Sequence, residues 1–172
     1  MDFFEVIRNR RSIRLFQDSP VEEEKLQAVL EAADAAPSAG NLQAYEIYLV
    51  KEPSARARLA STLPRMEFFA DVPAVLVFCA NPERAVIRYS DRGRSLYAIQ
   101  DATIACTHAM LAATALGLAT VWVGAFSEQA VTQALNLPAA LRPVALLPVG
   151  YPGETVEARP RRTLKDLVHA VK

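Results

Sequence analysis

Residues 102–127 contain no Asp, Glu, Lys or Arg, and a run of that length restricts the chain to two kinds of structure. It is long enough to cross a bilayer. It also contains Thr103, Thr107, His108, Thr114 and Gly117, and it divides into a helix ending near Gly117 and a strand beyond it. The reading is therefore a buried helix over 95–116 and a strand over 119–123, with no membrane span. The helix is dense in Ala and Thr, whose small side chains let a second helix approach closely.

Residues 74–80, Ala-Val-Leu-Val-Phe-Cys-Ala, form a second uncharged run, as expected of a central strand covered on both faces. The periodicity around these two runs predicts further elements. They are a short helix over 2–9, a helix from Ser19-Pro20 to Pro37, a strand over 45–50, a helix over 53–63, a polar connection over 81–94, a helix from Ser127 to Leu135 and a strand over 144–149. A last short helix follows Thr163, where Thr163 and Asp166 have the spacing of a capping box. Helices and strands alternate, which indicates an α/β or α+β layered domain. The 172 residues are read as a single domain, 1–172, large enough for its own core.

With 19 basic and 19 acidic residues the formal net charge is zero, which gives a nucleic acid or an anionic membrane no global attraction. Cys79 and Cys106 stand far apart in apolar stretches, and no CxxC or HExxH spacing occurs. No metal site is expected, and both cysteines read as small buried hydrophobes. Charge begins at Asp2, without an apolar signal core, so a cytoplasmic location is expected. There is no GxGxxG after the first strand and no Walker A loop, which argues against a standard dinucleotide or triphosphate site.

The charged residues that remain are concentrated locally. In an extended backbone Arg10, Ser12 and Arg14 share a face, and two guanidiniums flanking a hydroxyl suit phosphate oxygens. The same spacing also fits a solvated basic strand with Ile13 and Leu15 turned inward. Arg11 faces the other way and is either a further contact or a bystander. A second basic cluster, Arg159-Pro160-Arg161-Arg162, lies near the end of the chain. Arg161 and Arg162 are either anion ligands or a solvated face, and Arg159 reads as a solvated neighbour.

These pieces, in this order, resemble the nitroreductase family of flavin-dependent oxidoreductases. Arg-Arg-Ser-Ile-Arg at 10–14 is similar to the family's opening basic motif. Ala-Pro-Ser-Ala-Gly-Asn-Leu-Gln-Ala-Tyr at 36–45 resembles its Ala-Pro-Ser-(Ser/Ala)-Gly-Asn-x-Gln-Pro-Trp loop. Residues 116–126 resemble the helix-to-strand segment that passes the flavin ring, and Pro-Val-Gly-Tyr-Pro at 148–152 with the late arginines resembles the closing segment. The departure is Ala44-Tyr45 where Pro-Trp is usual.

The resemblance implies an α+β, three-layer α/β/α fold with a mostly antiparallel central sheet flanked by helices. It implies FMN as cofactor. The phosphate would be met by Arg10, Ser12, Arg14, Arg161 and Arg162, with Arg11 nearby. Pro37, Ser38, Ala39 and Asn41 would line the ring and ribityl chain, on a loop that in relatives often comes from the partner subunit. The backbone N–H of Gly124 would approach flavin N5, with Ala125 beside it. The implied activity is ping-pong transfer from NAD(P)H to nitroaromatic, quinone or related acceptors by a homodimer with FMN at its interface. The alternative is a protein of the same fold that stores or senses FMN without turnover. His108 reads as a core or interface histidine and Asp101 as a helix-surface or interface acid, both outside the chemistry.

Overall fold

In the structure, a computed structural model describing residues 1–171, the apolar run is the central strand β2 (Ala74–Ala80), every residue of which is buried. It pairs antiparallel with β1 (Tyr45–Val50) on one side, from Tyr45 opposite Ala80 to Val50 opposite Val75. On the other side it pairs antiparallel with β4 (Arg142–Gly150), with an irregularity at Phe78/Cys79. The two-residue β3 (Ala119–Thr120) joins the outer edge of β4 antiparallel, giving the order β1-β2-β4-β3. The antiparallel sheet expected from the resemblance is present.

Helices cover both faces. On one, α5 (Ala98–Ala115) packs with α2 (Glu23–Asp34) over Leu76, Phe78, Ala145, Leu147 and Val149. Ala98, Ala102, Ala105, Cys106, Ala109 and Ala113 form the fully buried stripe of α5, and their small side chains let the helix lie close to the sheet. On the other face α3 (Pro53–Ala60) and α6 (Glu128–Leu135) contribute Leu59 and Val131 to a core with Val75, Val77, Cys79 and Leu146. The charge-free run is thus a buried helix and the strand after it. Among the described residues no helix is long and apolar enough to cross a membrane. Both cysteines are buried and unpaired. Burial pushes the Cys79 thiol up to about 12 and raises that of Cys106 as well, so both remain protonated at neutral pH.

Several elements differ from their sequence reading. Residues 81–94 are not an irregular connection. They form α4 (Pro82–Arg92), which passes through a π-helical turn (Gly93–Tyr97) into α5. Proline in the first turn favours the helix, and only Ala85 of α4 is buried, so its charges are the solvated face of a helix. The start of α2 is Glu23, not Ser19-Pro20. Val21 is buried ahead of it, and the carboxylate of Glu22 accepts from the Tyr151 hydroxyl instead of capping. The helix ends at Asp34, ahead of Pro37, which disfavours helical geometry in the residue before it. Helix α3 stops at Ala60, three residues earlier than the periodicity suggests. After β3 the chain leaves the ladder and returns at Val123, which exchanges both backbone hydrogen bonds with Leu146 at 3.0 and 2.9 Å. Short helices α1 (Phe3–Asn9) and α7 (Leu164–Leu167) complete the chain. The hydroxyl of Thr163 donates to Asp166 Oδ2 at 2.7 Å, and its oxygen caps the Asp166 N–H.

Leu76→Ala is expected to lower unfolding free energy by about 2–5 kcal/mol, because Leu76 is fully buried between β1 and β4. Ile87→Ala, on the exposed face of α4, is expected to change it by no more than about 0.5 kcal/mol. Chemical denaturation midpoints check both.

Candidate cofactor site

The basic segment after α1 is held extended by backbone bonds at the β3 edge of the sheet. Asp2 and Glu5 cap α1 reciprocally at 2.9 and 2.8 Å. Beyond the helix, the N–H of Ile13 donates to the Thr120 carbonyl at 3.0 Å, and Ser12 forms a parallel bridge with Thr120. Glu154 Oε1 accepts from the N–H groups of Arg14 and Leu15 at 2.6 and 3.0 Å, and Gly153 donates to the Leu15 carbonyl at 2.8 Å. The start of the chain is thereby fastened to the stretch after β4. Across the bridge, Thr120 keeps a buried hydroxyl without a partner among the described residues.

This pairing of distant segments forms a cleft of about 740 Å3 lined by Arg10, Arg11, Ser12, Arg14, Arg159 and Arg161 among others. Arg159, read as a solvated neighbour, borders it too. Arg162 is not among the lining residues; its guanidinium donates to the Asp166 carbonyl of α7 at 2.7 Å. Arg11 binds the carbonyls of Arg8, Arg10 and Val156 at 2.6, 2.9 and 3.1 Å, clipping the end of α1 to the late segment. Among the described residues the Arg14 guanidinium makes only a long contact of 3.5 Å, to the Ser12 carbonyl.

The charges in the cleft oppose one another. Burial, followed by the positive charges of Arg161 and Arg11, lowers the pKa of Arg10. Glu157 also lines the cleft, yet among the described residues no carboxylate lies within ion-pair distance of Arg10, Arg14 or Arg161. Converging, unneutralised guanidiniums with the Ser12 hydroxyl form the donor set that a phosphate dianion requires, so these residues fit an FMN phosphate.

The loop before β1 lies elsewhere. Pro37, Ser38 and Ala39 line a hollow of about 430 Å3 with Tyr97, Gln100, Asp101, Thr103 and Ile104. The loop is strained. Gly40 has φ 56°, and the non-glycine residues Asn41 and Gln43 have φ 57° and 48°. Such conformations persist where surrounding contacts over-determine them, and here Asp101 supplies those contacts. Its side chain is 2% exposed, and its two oxygens accept from the N–H groups of Ala39 and Ala44 at 2.9 and 3.2 Å. Ser38 Oγ accepts from the Gln43 N–H at 3.0 Å. Asn41 is exposed within the loop.

Gly124 and Ala125 occupy a third place. Both are exposed, and their N–H groups donate to no acceptor among the described residues. Gly124 lines a hollow of about 200 Å3 with Ile99, Phe126 and Pro143 among others. A Cβ at Gly124 would lie 3.3 Å from the indole nitrogen of Trp122, so glycine lets the backbone pass close beside that ring.

Within one chain the expected site residues therefore fall into three groups. Arg10, Arg11, Ser12, Arg14 and Arg161 share a cleft, Pro37, Ser38 and Ala39 share a hollow, and Gly124 lines another. Sequence reasoning missed the role of Asp101, which is buried and not a helix-surface acid. The available signal was its isolation, since it is the only acid in α5. Among the described residues no group of three or more His, Cys, Asp or Glu side chains could hold a metal ion.

Asp101→Asn places an amide where a carboxylate oxygen accepts a backbone N–H, and is expected to cost about 1.5–3 kcal/mol of stability. Urea unfolding measures that loss. Slower proteolysis of the wild-type loop than of the variant loop would locate it.

Comparison with known proteins places the chain among its relatives. The model of the Nitroreductase family matches residues 7–63 and 59–151. A Bacillus subtilis (strain 168) protein named FMN reductase [NAD(P)H] is 32% identical over 176 residues, covering 95% of this chain and 71% of that protein. The oxygen-insensitive NADPH nitroreductase of Salmonella typhimurium (strain LT2) is 28% identical over 172 residues, covering 96% and 72%. The crystal structure of a nitroreductase family protein from Clostridium difficile 630 superposes with a TM-score of 0.87 at 32% identity, over 98% of each chain. With that family model matching most of its length and a relative 32% identical over 95% of it, the chain belongs to the nitroreductase family.

Proposed function

We propose that this protein is an NAD(P)H-dependent flavin oxidoreductase that binds FMN and reduces nitroaromatic, quinone or related acceptors. One observation carries the reading: guanidiniums from opposite ends of the chain line a single cleft and have no carboxylate partner among the described residues. Arg10, Arg14 and Arg161 hold the phosphate, Ser12 donates a hydroxyl bond, and Arg11 fixes the backbone that presents them. The Pro37–Asn41 loop lies along the ring and ribityl chain, held in shape by Asp101. The unpartnered N–H of Gly124 would donate towards flavin N5, with Ala125 beside it. Bound FMN would supply the two-electron chemistry between NAD(P)H and the oxidant. The protein contributes placement and field.

The three groups of site residues join if the protein is a two-fold dimer in which the loop of one subunit meets the arginine cleft of the other. The surface of one chain supports this. Phe3 and Phe4 of α1 are 63% and 66% exposed. Beside them α5 shows an uncharged, half-buried outer side of Thr103, Ile104, Thr107, His108 and Leu111. Contiguous apolar surface of this kind marks an interface. The whole chain, 1–172, acts as one flavin-binding domain, and its two unpaired thiols suit a reducing compartment such as the cytoplasm.

The purified protein is expected to carry oxidised flavin absorbance that bleaches on anaerobic addition of NAD(P)H and returns with a quinone. Flavin that stays oxidised would leave a binding or sensing protein instead. Arg10→Ala is expected to weaken FMN binding by about 1.5–3 kcal/mol, roughly 10- to 150-fold, and the more exposed Arg14→Ala by less. Unchanged flavin affinity in both variants would remove the phosphate role. In sedimentation equilibrium, a stable 18.8-kDa species at micromolar concentration would exclude the dimer.

A further inference from the structure

We propose that Arg88 and Arg92 bind the 2′-phosphate of NADPH and so make it, in preference to NADH, the electron donor. The inference rests on the oxidoreductase reading above and adds which nicotinamide nucleotide the site selects.

Four side chains on α4 and the π-helical turn form one continuous stack. The guanidinium carbon of Arg88 lies 5.6 Å from the ring centroid of Tyr89. Tyr89 meets Tyr97 edge to face, with centroids 5.1 Å apart at 82°. The guanidinium carbon of Arg92 lies 5.4 Å from the Tyr97 ring, and its Nε donates to the Tyr97 hydroxyl at 3.0 Å. Two cations thus bracket two phenols. Cation–π contact orients each guanidinium without neutralising it.

The local charges leave the pair available. Four acids and bases occur nearby on these two elements: Glu83, Arg84, Asp91 and Arg94. Arg94 is taken by Glu83 at 2.6 Å, and Arg84 Nε donates to the Leu42 carbonyl at 3.1 Å. Neither Glu83 nor Asp91 forms an ion pair with Arg88 or Arg92 among the described residues. Arg88 makes no hydrogen bond among them, and both Nη groups of Arg92 remain free to donate. A phosphate dianion with three acceptor oxygens complements two such forks.

The stack also sits where a nucleotide bound at the cofactor site can reach it. A Cβ on Gly40 would lie 2.6 Å from the Tyr89 hydroxyl and 2.8 Å from Arg88 Nη1, so the stack rests directly on the strained loop. Tyr97 is both the ring under Arg92 and a wall of the hollow shared with Pro37, Ser38 and Ala39. The backbone is shaped to bring these residues together. Ser90 breaks α4 at φ 48°, ψ −139°, and beyond the break the Tyr97 ring meets that of Tyr89. Gly93 then packs so tightly that a Cβ would lie 2.5 Å from the Ala85 carbonyl oxygen. A non-glycine residue held in such a conformation is a feature of functional sites.

The test compares two nucleotides that differ by the group in question. Adenosine 2′,5′-bisphosphate and adenosine 5′-monophosphate are titrated calorimetrically into the protein as purified. The bisphosphate is expected to bind at least about tenfold tighter. The preference is expected to vanish in the double variant Arg88→Gln, Arg92→Gln. In steady state that variant should show an NADPH KM about tenfold higher and an unmoved NADH KM. Equal binding of the two nucleotides to the wild type overturns the proposal without needing any variant to fold. So does a double variant that keeps the preference, or one in which only the KM for an anionic oxidant such as a nitrobenzoate rises. Protein that discriminates the nucleotides but takes up no flavin would sink the oxidoreductase reading and leave the assignment of the arginines standing.

Discussion

The structure turns on a buried carboxylate. Helix α5 carries Asp101 as its only acid and no Lys or Arg, and it lies against the sheet, α2 and the loop before β1. Removing a carboxylate from water costs several kcal/mol unless hydrogen bonds replace the lost hydration. Here the N–H groups of Ala39 and Ala44 replace it. They come from the two ends of a loop whose central residues have positive φ. The same two hydrogen bonds therefore offset both the desolvation of the side chain and the strain of the loop. They fix the loop to α5, whose inner stripe is fully buried. Side chains on that loop are presented to a ligand in a conformation already set before binding, which is what a precise cofactor site requires.

The arginine cleft follows the opposite logic. Its groups repel, and the folded protein brings them together because backbone pairing at the sheet edge leaves no alternative. Ser12 bridges Thr120, Phe16 bridges Pro152, and Glu154 holds Arg14 and Leu15 by their N–H groups. Glu154 spends its charge on backbone and leaves the guanidiniums unneutralised. A chain of zero net charge thus keeps a concentrated positive region at this edge. An anion bound there removes repulsion as well as adding bonds, so its binding stabilises the pairing of the chain's two ends.

How much of this was legible depended on the range of the interaction. Strand β2 was readable to the residue because burial on both faces leaves a continuous apolar run with sharp ends, and the half-buried β1 because it is rich in aromatic and β-branched strand formers. Ser127 capping α6 and Thr163 capping α7 were readable because caps act over three residues. The alternation of Arg10, Ser12 and Arg14 followed from strand geometry alone. Helix α4 was hidden because its buried side is a single alanine, and the start of α2 was displaced because Glu22 serves Tyr151, far away in sequence. The sorting of site residues into three places was equally invisible, since it is set by which sheet edge or helix each segment meets. Asp101 was the clearest omission. Its role depends on two amides some sixty residues distant, although a lone acid in an otherwise uncharged helix is itself a statement that something must satisfy it.

The departure from the family's loop sequence acquires a physical meaning in the same terms. Where the motif usually reads Pro-Trp, this chain has Ala44-Tyr45. Proline has no N–H, so at position 44 it could not supply the bond that Asp101 Oδ2 accepts here. That oxygen would then be buried one donor short. The tyrosine is accommodated in turn, because its hydroxyl donates to the Ala33 carbonyl at 3.1 Å and ties the start of β1 to α2. The two substitutions therefore do not loosen the loop. They exchange the rigidity of a pyrrolidine ring for two buried hydrogen bonds, one to the helix on which the sheet rests and one to the helix beside it.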